Sequence, residues 1–274
     1  MPRRGRSAAR HAPPVCTVAG MSPNPTPPAP HLFEATHVTA VMPQQGGDHT
    51  VFHDLSFHVD AGEVVDITGP SGAGKSTLLT AFARLNAHTT GIFTLDGKDS
   101  DSFTPQQWRV RVSYLPQTST LIGDTVADVI RLPWTLAVRQ GERKQEPADM
   151  LADAHIRQLL DAMGCADIQL DRNPRDLSGG QAARVSLART ILTKPRVLLA
   201  DEVDAGLDEE NADKVADLLK RAAGQGAGVV RIRHRAPDGR ASRIMVLSDG
   251  ELNEQQAPAP ANTAAAAERE GRRA

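Results

Sequence analysis

No stretch of this 274-residue chain approaches the roughly 20 consecutive apolar residues of a membrane-crossing helix, and its longest apolar runs are strand-sized. Any path across a bilayer is therefore expected on another chain. Cysteine is scarce as well. Cys16 lies in a proline-rich tail and Cys165 in a stretch of helical character, which leaves no disulfide framework and no metal-ligand spacing and fits a reducing compartment. Charge of one sign is also missing. With 31 basic and 33 acidic residues the formal net charge is −2, so nothing global draws the chain to nucleic acid or an anionic surface. The length suits one sizeable domain, or one domain with a smaller inserted subdomain, and is ample for a buried core.

Two ends of the chain read as tails. Residues 1–30 hold Arg3, Arg4, Arg6 and Arg10, then Pro23, Pro25, Pro27, Pro28 and Pro30, without the apolar stretch of about 7 to 15 residues that a secretion signal needs. This is the composition of a disordered, solvated segment, with Met21 as an alternative translation start. Residues 253–274 form a second disordered, alanine-rich tail in which Ala264–Ala267 favours some helix. Neither tail is expected to carry chemistry.

Between them, residues 31–252 alternate strand and helix character. Phe33–Val41, Val51–Val59 and Val64–Thr68 read as strands and Lys75–Asn86 as a helix. Gly91–Leu95 reads as a short strand closed by an Asp96-Gly97 turn, and Val110–Tyr114 as another strand. From Asp124 to Met163 the pattern is mostly helical, broken by Pro133 and the polar run Gln140–Pro147. This predicts a helical subdomain inserted at about 118–180. Thereafter come a helix Gly180–Thr193, a strand Arg196–Ala200, a helix Glu209–Ala223, a strand Val229–Ile232 and a final strand Arg243–Leu247. The predicted class is α/β, with a mainly parallel core sheet, an antiparallel N-terminal β subdomain and the helical insert.

Three clusters carry chemistry. Gly69-Pro70-Ser71-Gly72-Ala73-Gly74-Lys75-Ser76-Thr77 is a glycine-rich loop between a strand and a helix. Its glycines let backbone N–H groups turn toward phosphates, Lys75 reaches the β and γ oxygens, and the Ser76 hydroxyl is a natural magnesium ligand. The apolar strand Val197–Ala200 ends in Asp201 and Glu202, where a parallel sheet delivers residues to a phosphate site. Asp201 is suited to hold magnesium through water and Glu202 to activate an attacking water as general base. Leu177-Ser178-Gly179-Gly180-Gln181 opens a helix with a hydroxyl and bare backbone amides at its positive end, which makes a second anion site.

These residues resemble the Walker A, Walker B and signature motifs of ATP-binding cassette (ABC) ATPases, a P-loop NTPase family, and the similarity runs from about Leu32 to Leu252. The resemblance implies ATP and Mg2+ as ligands. It also implies a head-to-tail pair of cassettes in which Ser178 and Gly179 of one copy clamp the γ-phosphate held by Lys75 of the other. Gln117 resembles the Q-loop glutamine that touches magnesium and the attacking water, Asp208 the D-loop aspartate at the dimer seam, and His234 the switch histidine at the γ-phosphate. Asp208 is also placed to cap the helix that follows it. A separate transmembrane permease is the implied partner, with docking near Gln117, a cytoplasmic location on the inner face of the membrane, and no nucleic acid.

The chain departs from the family pattern at several places. Ala40 stands at about the place of the usual adenine-stacking aromatic and Tyr114 is the only tyrosine, so Val51 or a partner chain is expected to help hold the base and nucleotide specificity is expected to be loose. Arg233-His234-Arg235 replaces Thr-His-Asp, which surrounds the switch with positive charge and is expected to favour bound phosphate. Asp66, in the strand feeding the phosphate loop, is expected neutral, paired or edge-facing. Tyr114–Val126 with Leu132-Pro133-Trp134, and within them Gly123–Val126 and Pro133-Trp134, resemble the ATP-binding subunits of small bacterial ABC systems assigned to iron export. Leu121, Ile122 and Trp134 would then offer a permease its docking groove. The alternative is a soluble cassette ATPase acting on DNA or ribosomes; such proteins commonly carry two cassettes or a long coiled-coil insertion, whereas this chain has one phosphate loop, one signature and a short insert.

Overall fold

The computed structural model describes residues 30–44, 47–139 and 151–255. The arginine-rich start with Cys16 and Met21, the polar run Gln140–Pro147 and the Ala264–Ala267 run lie outside the described residues.

Two sheets organise the molecule. The first is antiparallel, in the order β2-β1-β4-β5, from β1 (Phe33–Gln44), β2 (Gly47–Val59), β4 (Thr89–Leu95) and β5 (Lys98–Asp99). The second has the order β10-β9-β3-β8-β7-β6. Here β9 (Arg243–Ser248), β3 (Val64–Thr68), β8 (Gly228–Ile232), β7 (Val197–Asp201) and β6 (Val112–Leu115) run parallel, and β10 (Glu251–Gln255) closes the edge antiparallel to β9. Every residue of β7 and β8 is buried, as expected of strands covered on both faces.

One core lies between the sheets, around helix α1 (Lys75–Phe82). Phe33, Phe57, Phe82 and Trp108 pack there ring against ring, and the Trp108 indole donates to the Phe82 carbonyl at 2.9 Å. A second core covers the opposite face of the parallel sheet. It joins α3 (Val126–Arg131), α4 (Asp153–Ala162), α5 (Gly179–Leu192) and α6 (Glu209–Gly224) through Val129, Ile130, Ile156, Leu160, Val185, Val215 and Leu219. The α/β class with its antiparallel N-terminal sheet is the one read from the sequence.

Local detail differs in several places. Helix α1 stops at Phe82 and not at Asn86, because Arg84 turns left-handed (φ 52°) and its guanidinium is held by the Ser100 carbonyl and the Asp101 carboxylate. Val110 and Arg111 belong to helix α2 (Pro105–Arg111) rather than to a strand. Thr104 and Gln107 cap that helix reciprocally, with Pro105 at its first position. Cys165 follows α4 in a loop and is buried. Arg243–Ser248 is not the last strand, since β10 carries pairing on to Gln255.

Candidate active site

The glycine loop leaves the carboxyl end of β3 and runs into α1. Gly69, at φ 137°, passes so close to β9 that a Cβ there would lie 2.1 Å from the Leu247 carbonyl oxygen. Gly74, at φ 95°, is the residue before α1, and a Cβ on it would meet Val51 Cγ1 at 2.4 Å. No side chain caps α1, so its first N–H groups stay open toward the loop and form an anion cradle. Lys75 is buried and its Nζ donates to the carbonyls of Gly69 and Pro70, each at 2.9 Å, which folds the loop around the ammonium group. Pro70, Ser71, Gly72 and Ser76 are exposed around it, with Ala73 and Thr77 partly covered. Gly69→Ala is expected to lower stability by at least about 2 kcal/mol, because both the backbone angle and the space forbid a side chain; a thermal melt with and without ATP checks this.

Strand β7, separated from β3 by β8, delivers two carboxylates at its carboxyl end. Asp201 is buried; its Oδ2 accepts from the Tyr114 hydroxyl at 2.8 Å, while its Oδ1 is buried with no protein partner. Burial, then the hydrogen bond to Asp201, pushes the Tyr114 pKa up, so the hydroxyl stays a donor. Glu202 sits in the left-handed region at φ 51°, a conformation costly for a side chain of this size. Its two oxygens are divided between partners from distant segments. Gln117 Nε2 donates to Oε2 at 2.8 Å, and His234 Nε2 lies 2.6 Å from Oε1. Gln117, Glu202 and His234 thus meet at one carboxylate at the carboxyl edge of the parallel sheet.

Ser178 and Asp208 are both helix caps. The Ser178 hydroxyl accepts from the Gln181 N–H and the Gln181 side chain accepts from the Ser178 N–H, while Gln181 Nε2 reaches Asp167 at 2.7 Å. Gly179 and Gly180 form the first turn of α5. Asp208 accepts from the Asn211 backbone and side chain, which holds its carboxyl below the usual carboxylate range.

Of the expectations at the departures from the family pattern, those for Trp134 and for the two arginines are corrected. Ala40 is fully buried and offers no surface to a base, and Val51 packs on the phosphate loop at Gly74. Trp134 is buried beside Arg139, leaving Ile122 as the exposed member of the supposed docking trio and Leu121 partly covered. Arg233 is buried in ion pairs and Arg235 donates to the Leu207 carbonyl, so neither guanidinium crowds the phosphate side of His234. Asp66 takes the paired one of its three expected states: it lies in a central strand, directly opposite Arg231 in register, and is bonded to it at 2.6 and 2.9 Å. Tyr114 is a partner of Asp201 that the sequence does not reveal, because it depends on the parallel pairing of β6 with β7.

A phosphate-cradling loop after β3, two carboxylates after β7 and five parallel strands define a P-loop nucleotide hydrolase. The family model described as ABC transporter matches residues 52–205, and the chain belongs to that family as an ATP-binding, ATP-hydrolysing cassette. It is 36% identical over 212 residues to the Escherichia coli "Probable iron export ATP-binding protein FetA", covering 76% of this chain and 90% of that one. It is 34% identical over 230 residues to "Methionine import ATP-binding protein MetN" of Cupriavidus metallidurans, covering 81% of this chain and 64% of that one. Similarity at 31% extends over 81% of this chain to "Macrolide export ATP-binding/permease protein MacB" of Salmonella typhi, of which it spans 34%. Among solved structures, a dimeric ATP-binding cassette in a post-hydrolysis state bound to ADP and Pi superposes with a TM-score of 0.68 at 25% identity, over 83% of this chain and 100% of that one. Among the described residues no helix is long and apolar enough to cross a membrane.

Proposed function

We propose that this chain is the ATP-hydrolysing subunit of an ABC transporter. It pairs head to tail with a second, identical cassette on the cytoplasmic face of the membrane and energises a separate permease, with iron or another metal ion as exported cargo. The convergence of Gln117 and His234 on Glu202 is the observation that carries the hydrolytic part. Glu202 takes the proton of the attacking water. His234 and Gln117 hold its carboxylate in place and report whether a γ-phosphate is present. Lys75 and the open amides of the loop and of α1 bind the phosphates. Ser178, Gly179, Gly180 and Gln181 of one copy complete the site of the other, with Asp208 at the seam between them.

The residues fit a magnesium ion. Asp201 Oδ1 is a buried carboxylate oxygen without a protein partner, and Ser76 is exposed at the start of α1 beside Lys75. Ser76, Gln117 and, through water, Asp201 would hold the ion, which neutralises charge on the β- and γ-phosphates. Tyr114 fixes the other Asp201 oxygen and so aims Oδ1 into the site.

The export reading draws on the likeness to FetA, whose length this chain nearly spans, whereas MetN is an import protein and MacB a macrolide exporter. Affinity capture of a Glu202→Gln chain, held with Mg-ATP, from detergent-solubilised cells tests the transport reading. A polytopic membrane protein is expected in the capture, with acidic or metal-ligating residues in its span. Recovery of ribosomal or DNA-bound proteins in its place would contradict it.

A further inference from the structure

Three consecutive residues after β8 reach back to one turn. His234 meets Glu202, Arg233 Nε donates to Asp204 Oδ2 at 3.1 Å, and Arg235 Nη2 donates to the Leu207 carbonyl. Behind them lies a buried ionic cluster. Arg233 Nη1 stands 2.8 Å from Asp238 Oδ2 and 3.8 Å from Asp66 Oδ2. Arg231 forks onto Asp66 and also bonds both Asp238 oxygens, at 3.1 and 3.2 Å. Arg240 adds a charge 3.7 Å from Asp238 and anchors to Asp213 and Asp217 of α6. Asp66, Asp204, Arg231 and Arg233 are all buried.

Such a cluster is an expensive way to stabilise a fold, since apolar side chains of similar volume commonly serve as well or better. Its value lies in what it fixes. Glu202 holds a left-handed backbone that its surroundings must enforce, and Asp204 follows it by two positions in the same turn, which ends at Asp208. We propose that Arg233 and Arg235 are positioning residues that lock the loop carrying His234 onto the 202–208 turn, setting the proton acceptor and its histidine partner in register. This rests on the assignment of Glu202 and His234 made above. The guanidinium of Arg233 is committed to Asp204 and Asp238 and serves the site only through Glu202 and His234.

The test is a double-mutant cycle on phosphate release by the full chain, with ATP affinity and melting temperature measured on the same preparations. Arg233→Met and Asp204→Asn are each expected to lower kcat about 10- to 100-fold with KM for ATP within about threefold, the scale on which misplaced reacting groups act. The double variant is expected to fall no further than the worse single, because both changes remove one contact. Arg233→Lys keeps the charge but cannot bridge Asp204 and Asp238 from two edges of a planar fork, and is expected to recover less than half of the loss. Arg196→Gln breaks an exposed pair with Asp96 at the opposite end of β7 and is expected to leave kcat unchanged. Singles within about twofold of the unmodified kcat, whatever their melting temperature, would overturn the proposal; so would a loss carried by KM alone. If Arg233→Met does not fold, Asp204→Asn and Arg233→Lys decide by the same criteria. Turnover surviving in Glu202→Gln would defeat the underlying assignment, whereas an inert Glu202→Gln beside fully active Arg233 and Asp204 variants would defeat this inference alone.

Discussion

Replacing Glu202 by glutamine is expected to slow phosphate release at least about 100-fold while leaving ATP affinity within about threefold of the unmodified chain. The amide has nearly the shape of the carboxylate but cannot accept a proton from water. It also has one acceptor oxygen where the carboxylate has two. Gln117 and His234 each hold a separate Glu202 oxygen, so one of the two contacts must be lost or reversed. Lys75, the loop amides and the start of α1 are untouched, and these make the phosphate cradle. ATP therefore binds and is not consumed, and the chain is expected to accumulate as an ATP-held dimer. Parallel measurement of nucleotide affinity, phosphate release and solution mass checks all three consequences on one preparation.

Replacing Arg231 by leucine is expected to cost about 3 to 5 kcal/mol of stability, because it strands two buried carboxylates. Arg231 is buried in the central strand β8, opposite Asp66 on β3, and its fork satisfies Asp66 and Asp238 together. Burial pulls its own pKa down, but Asp66 and Asp238 outweigh this and hold it above the ordinary arginine value. Burial pushes Asp66 up, against the pull of Arg231 and Arg233. Asp238 is also pushed up by burial, but the hydrogen bonds and charge of Arg231 bring it below the usual range. Without Arg231 both carboxyls would titrate higher in the folded state than in the unfolded chain. Groups of that kind favour the folded state at low pH and oppose it as pH rises, so the loss is expected to be smaller near pH 5 than near pH 8. Adding Asp66→Ile to Arg231→Leu removes one stranded charge at the facing position and is expected to restore part of the stability. Thermal and denaturant unfolding of the single and double variants at the two pH values measures each step.

The parts of the site written in consecutive residues were legible in the sequence. The phosphate loop, the Val197–Glu202 strand end, the Ser178 cap and the Asp208 cap each have a local cause: glycine geometry, an apolar run, or a side chain that bonds an N–H a few positions on. Residues whose meaning depends on strand register were not. Asp66 looked anomalous because its partner, Arg231, lies far along the chain and reaches it only through the pairing of β3 with β8. Arg233 and Arg235 looked like charge around the switch because their acceptors, Asp204 and Leu207, belong to a turn brought alongside by β7 and β8. Trp134 is expected in a permease docking groove, yet the second core encloses it. Helix α2 was a different kind of miss. Its Thr104-Pro105 start and Gln107 cap were in plain view, and the apolar pattern of Val110 to Tyr114 outweighed them.

The claim that organises all of this is that one chain holds the phosphates and a second completes the site. Ser178→Arg tests it most directly, through ATP affinity and phosphate release measured together. Ser178 lies on the cap of α5, where its contacts are to its own helix, and Lys75 is held by Gly69 and Pro70. The account predicts ATP affinity within about threefold of the unmodified chain and turnover reduced at least about 100-fold, since the cradle survives and its closure does not. Unchanged turnover in Ser178→Arg would contradict it, because the site would then be complete within a single chain.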